Sequence, residues 1–262
     1  MKTPKIFLLI AAGFILAGCA STRSISNSGY RQPDTAPRHP VRSGHVDSAF
    51  AYRGELSEFD VLGVSRNQTA FDEDIQQALD AAKSIRLKPQ STLLLIQSGA
   101  MFPDPPMVDG LSRSFRVVPF SGVPPGQGND AEGNFNFSKS LRLAAARAGA
   151  ETIVCYWGIL ESVEEKFPTK TVSWVPLVGW VVPDERERMR IRLKVALLDV
   201  RTGNWSVFSP PPSDSKTPSL GPRRAVADQK LVERLKRQTY EASVEELLRL
   251  YSEEGLSENR AN

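Results

Sequence analysis

Histidine is nearly absent from this 262-residue chain, which has only His39 and His45. Both fall within residues 20–53, a stretch rich in Ser, Arg, Pro and Gly that lacks periodic apolar residues and reads as a flexible tether. A Ser-His-Asp triad needs a histidine inside the fold, and none is available. Metal hydrolysis needs clustered ligands, and no HExxH-type spacing occurs. Cysteine is as scarce, at two residues, Cys19 and Cys155. Cys155 lies between Val154 and Tyr156 in an apolar run, so a buried core thiol is the expected role rather than a nucleophile. An excess of one charge is also missing, with 33 Lys and Arg against 30 Asp and Glu. That balance gives no ground for nucleic-acid binding. The longest apolar run, 6–15, is too short to span a bilayer.

What is present begins at the amino terminus. Lys2 and Lys5 precede the apolar run, and Leu16-Ala17-Gly18-Cys19 follows it. This layout is that of a secretory signal. The four residues resemble the lipobox of bacterial lipoproteins, with an ordinary signal peptide or an uncleaved anchor as the alternative. The resemblance implies cleavage after residue 18 and a diacylglycerol thioether plus an amide-linked acyl chain on Cys19. Two or more acyl chains hold a protein stably on a membrane. Ala20 and Ser21 follow, with no Asp directly after the cysteine. In the family this implies the periplasmic face of the outer membrane in a two-membrane host. The expected organisation is signal peptide 1–18, lipidated flexible tether 19–54, α/β domain 55–253 and disordered tail 254–262. A coil of that tether's length would reach roughly 30–35 Å.

The domain reads as α/β, a single mixed sheet with a parallel βαβ part, then antiparallel strands, flanking helices and a long C-terminal helix. Residues 59–64 (FDVLGV) read as a short strand. Phe71, Ile75, Ala78, Leu79, Ala82 and Ile85 recur at helical spacing behind a Thr69 cap, and Pro89 ends that helix. Residues 91–97 and 152–160 are apolar runs of buried strands; 115–120 is another strand. Helices are expected at 102–114 and at 138–148, the second closed by Gly149. Residues 121–136 form a Gly/Pro/Asn loop and 170–182 are β-rich. Residues 189–200 alternate as a strand, 201–204 turn, and 205–208 return. Residues 209–224 read as a Pro/Ser loop, and 225–253 as one amphipathic helix.

Two segments carry a further resemblance. Residues 148–154 (AGAETIV) and 195–205 (VALLDVRTGNW) are similar to the strand start and the hairpin of a family of periplasmic lipoprotein domains. That family includes the curli secretion-channel lipoprotein, the lipoprotein activators of penicillin-binding proteins and the amino-terminal domain of TolB. Its members mostly bind or assemble, and the motifs have scaffold reasons. Gly203 suits a positive φ, Asp199 and Thr202 can bond turn backbone, and Trp205 can pack across the sheet.

Other candidates have plainer readings. Asp104, Asp109 and Glu161 could form a carboxylate metal site, and Glu161, Glu164 and Glu165 could supply paired carboxylates for glycan cleavage, but a solvated strand end explains the latter. Residues 97–100 follow a buried strand without a phosphate fingerprint and read as a turn. Residues 184–192 read as an exposed strand edge. Residues 174–182, with Trp174, Leu177 and Trp180, are either a packed hairpin or an apolar contact for a partner. The leading expectation is a non-enzymatic envelope lipoprotein that binds a protein partner or itself, without cofactor, metal or nucleic acid. Alternatives are an envelope hydrolase and a small-molecule binder using residues 121–137.

Overall fold

The computed structural model describes residues 20–27, 52–64, 71–124, 136–166, 185–219 and 224–252. The signal, Cys19, both histidines, Thr69, most of the loop at 121–136, residues 167–184 with Trp174, Leu177 and Trp180, and the tail after Ser252 lie outside them. The described strands are β1 Ala20–Ser24, β2 Thr92–Gln97, β3 Arg116–Phe120, β4 Thr152–Lys166, β5 Glu185–Asp199, β6 Trp205–Phe208 and β7 Ser213–Ser219. The helices are α1 Glu58–Leu62, α2 Asp72–Ala81, α3 Pro105–Ser112, α4 Phe137–Arg147 and α5 Arg224–Tyr251.

One mixed sheet results. β3, β2 and β4 are parallel, and β5, β6 and β7 add antiparallel pairs. Its spine is the long β4–β5 ladder, from Thr152↔Asp199 to Lys166↔Glu185. Each strand of the spine has two partners along its outer edge. On β4, β2 takes residues 152–156 and β1 takes 159–163. On β5, β6 takes 195–198 and β7 takes 185–191.

The apolar runs require cover on both faces, and both are covered. Leu93, Leu95, Val154 and Tyr156 pack with Met107 and Leu111 of α3 and with Leu231, Leu235, Tyr240 and Leu247 of α5. Leu94, Ile96, Ile153 and Cys155 pack on the opposite face with Val61 of α1 and Leu141 and Ala145 of α4. Cys155 is 1 % exposed, as its sequence neighbours require. The β5–β6 hairpin closes as its residues suggest. The Thr202 amide and hydroxyl donate to Asp199 Oδ1 at 2.7 and 2.9 Å, and Gly203 has φ +79°.

Several expectations are corrected. Residues 59–64 are not a strand. Glu58 and Asp60 favour the positive end of a helix, Val61 anchors it, and Gly63 closes it. The loop expected at 209–224 contains β7, which β5 recruits through backbone pairing despite its polar side chains. Residues 185–191 are therefore an interior strand between β4 and β7, not a sheet edge. Trp205 does not pack across the sheet; it is 48 % exposed.

The tether expected from residue 19 is corrected over 20–27. β1 pairs antiparallel with β4 from Ala20↔Val163 to Ser24↔Ile159, and a 3₁₀ turn, Ile25–Asn27, follows. β4 outruns β2, so its edge beyond Tyr156 offers unpaired backbone groups that any extended segment can satisfy. Ile25 then locks the segment, buried against the core over Gly158.

Candidate functional site

In open parallel sheets, ligands lodge beyond the carboxyl ends of the strands, where successive crossovers part. Here that place lies after β2, because the chain goes from β2 to β3 on one side and returns to β4 on the other. The crevice is filled by the chain itself. Ser26 Oγ donates to the Ser98 carbonyl at 2.6 Å, and the Leu56 amide donates to Ser98 Oγ at 2.8 Å. Gln97 Nε2 donates to Ser26 Oγ at 3.0 Å. Tyr156 Oη and the Asp104 amide donate to Gln97 Oε1 at 2.6 and 2.7 Å. Asp104 in turn accepts from Tyr240 Oη at 2.5 Å and from Lys236 Nζ at 3.0 Å. Burial, with the Asp104 carboxylate adding to it, holds both phenols protonated well above their ordinary range. Desolvation does the same to the Cys155 thiol. This is a satisfied structural network that joins the amino-terminal segment, α3 and α5. Residues 97–100 are a turn, as expected, but Gln97 and Ser98 are its buried hubs.

An open cleft of about 1130 Å³ lies instead between the start of α1, the middle of β4 and β5, and the connection from β6 to β7. It forms because β5 residues 192–194 lie between the stretches paired with β6 and β7, opposite Ser209–Pro210–Pro211–Pro212. Proline has no N–H to extend the ladder. Phe59 and Trp157 supply apolar wall. Trp157 Nε1 donates to the Leu56 carbonyl at 2.8 Å, which pins α1 to the sheet. The cleft's cations are paired: Lys194 with Glu58 at 2.8 Å, Arg192 with Glu161, and Arg249 with Glu246. The Arg249 hydrogen bonds hold the Glu246 carboxyl below its usual range.

A second surface lies on α2. α2 is helical and amphipathic, with Asp74 accepting from the Phe71 amide at 3.0 Å. Phe71, Ile75 and Leu79 are nevertheless 64, 52 and 65 % exposed. Helical periodicity finds such a stripe but cannot say whether this chain covers it. Here α1 and α4 fill one sheet face and α3 and α5 the other. At the far end of α2, Asn204 Nδ2 donates to the Ala81 carbonyl at 3.4 Å, which sets the helix beside the β5–β6 turn.

Two of the carboxylates singled out in the sequence, Asp104 and Glu161, are engaged separately, while the side chains of Glu164 and Glu165 lie outside those described. Asp104 serves the buried network, and Glu161 pairs with Arg192 across the β4–β5 ladder. Among the described residues no three His, Cys, Asp or Glu side chains gather as a metal site, and no helix is long and apolar enough to cross a membrane. No match was found among curated proteins. The family model of the YafT bacterial lipoproteins matches residues 57–250, which span α1 to the last turn of α5, so the chain belongs to that lipoprotein family.

Proposed function

We propose that this lipoprotein is a non-enzymatic protein-binding module, carried by lipid on Cys19 at the periplasmic face of the outer membrane. The apolar stripe of α2 carries this reading. Three large apolar side chains one helical turn apart, more than half exposed, are the pattern that a partner's groove accepts. The self-filled crevice beyond β2 weighs against the hydrolase alternative, since the usual place for chemistry in such a sheet holds Ser26 and Leu56 instead. The motifs similar to the curli-secretion, penicillin-binding-protein-activator and TolB-like domains point toward binding or assembly as well. The residues after Cys19, Ala20 and Ser21, support the outer membrane as the destination. Trp174, Leu177 and Trp180 are proposed as a second contact, for a partner or another copy of the chain.

A photo-crosslinking residue at Ile75 in living cells should yield a discrete protein adduct. Leu79→Lys should abolish it while the purified variant keeps its stability to within about 0.5 kcal/mol, as exposed substitutions do. Absence of the adduct, or its survival in Leu79→Lys, overturns the reading. So does turnover of peptide or glycan substrates by the purified protein.

The cleft beside Trp157 and Phe59 favours a second reading, capture of a small amphipathic ligand. A ligand-dependent melting shift lost in Trp157→Ala would select it over the protein-binding reading.

A further inference from the structure

The register of β1 places the anchor. Ala20 pairs with Val163, and Cys19 is one residue earlier, about 3.8 Å away along the chain. Residues 28–51 do not separate the lipid from the fold. The chain leaves after Ser26 and Asn27 and is back by Leu56, and Ser26 and Leu56 both bond Ser98. Residues 28–51 follow β1 in the chain, so their number adds nothing to the anchor's reach.

We infer that the first strand holds the domain directly against the lipid surface, with the Ala20–Val163 end of the sheet facing the headgroups. This rests on the proposed lipid at Cys19. The surface residues there suit a headgroup layer. Ser21, Thr22 and Arg23 are exposed, Ser21 and Ser162 share a hydrogen bond of 2.8 Å, and Arg188 and Asp214 form an ion pair of 2.8 Å. The opposite end of the spine is the β5–β6 turn. Between Thr152, beside that turn, and Val163 lie eleven residue steps, about 35 Å of strand. The lipid therefore sets a polarity. α2, tied at Ala81 to Asn204, is displayed on the end away from the membrane. Lys166 and Glu185 end the spine on the membrane side, so the sequence that joins them is attached there.

The test uses full-length mature lipoprotein in phosphatidylethanolamine–phosphatidylglycerol vesicles with a short-range quencher on the headgroup. A fluorophore is placed at Ser162→Cys or at Thr202→Cys; buried Cys155 is out of reach of the label. Emission from position 162 should be quenched several-fold more than emission from 202. A 20-residue Gly/Ser insertion between Cys19 and Ala20, which adds a coil of about 25 Å, should abolish the difference. Equal quenching at the two positions, or no effect of the insertion, overturns the inference while leaving lipidation intact. Protein that lacks a lipid-modified amino-terminal peptide, and that fails to sediment with the vesicles, overturns the anchor reading and this inference together.

Discussion

Tyr240 donates a 2.5 Å hydrogen bond to Asp104, 136 residues away, which locks the middle of α5 to the residue that opens α3. Tyr240 also meets Tyr156 edge-on, with ring centroids 5.8 Å apart, so helix, loop and central strand close on one point. Tyr240→Phe keeps the ring contact and removes only the donor. Lys236 remains to Asp104 at 3.0 Å. A hydrogen bond to a charged group contributes about 1.5–3 kcal/mol. Urea unfolding should show that loss with an unchanged slope; a loss below about 0.5 kcal/mol would mean that the carboxylate is satisfied by Lys236 alone.

Alkaline pH should destabilise the domain in two steps. Burial raises the Cys155 thiol and the Tyr156 and Tyr240 phenols well above their ordinary values. An unfolded chain releases those protons near pH 8.5 for Cys and 10 for Tyr, roughly their unperturbed values. Above each value the folded state binds more protons than the unfolded state, so stability falls as pH rises, by about 1.4 kcal/mol per pH unit for each group. The stabilising contribution is complete below pH about 8.5. Cys155→Ala should move the onset of the decline toward pH 10, and Tyr156→Phe should flatten the slope above it. Unfolding free energies measured from pH 7 to 11 test both.

The parts of the fold legible in the sequence are those where one chemical signal decides. The apolar runs at 93–96 and 153–156 could only be doubly covered strands, and Asp199, Thr202 and Gly203 carry their turn within five residues. The missed parts depend on distant partners. β1 is Ala-Ser-Thr-Arg-Ser, polar and without alternation, and is a strand only because β4 extends past β2. β7 has the same origin on β5. α1 contains β-favouring Phe and Val, yet Glu58, Asp60 and Gly63 decide for a helix. The candidate surfaces were the least legible. The stripe of α2 is written in its spacing, but its exposure follows from the other helices having already covered the sheet.

Cys19→Ala tests the anchor. Without the thiol, no thioether can form, and the precursor should keep its signal or be released after atypical cleavage. Envelope fractionation should find the variant out of the lipid-modified pool, and the mass of its amino-terminal peptide should lack acyl chains. An unchanged mature mass with unchanged membrane association would remove the lipid from this residue.

The hold of β1 on the sheet is expected to depend on two atoms-deep contacts beside Gly158. A Cβ built there would lie 2.5 Å from Leu193 Cδ2 and 2.6 Å from Ile25 Cδ1. Leu193 belongs to the strand spine and pairs with Gly158 within the long β4–β5 ladder, whereas Ile25 sits on a segment of eight described residues, so Ile25 is the side that yields. Gly158→Ala should thus displace Ile25, and Ile25→Ala should remove the same packing, at about 2–5 kcal/mol. A terminal segment can detach without global unfolding. Hydrogen exchange is the measurement. In both variants the amides of 20–24 should lose protection, while those of 152–156 and 195–198 stay slow. Protection at 20–24 equal to that of the parent in both variants would show that backbone pairing alone holds β1.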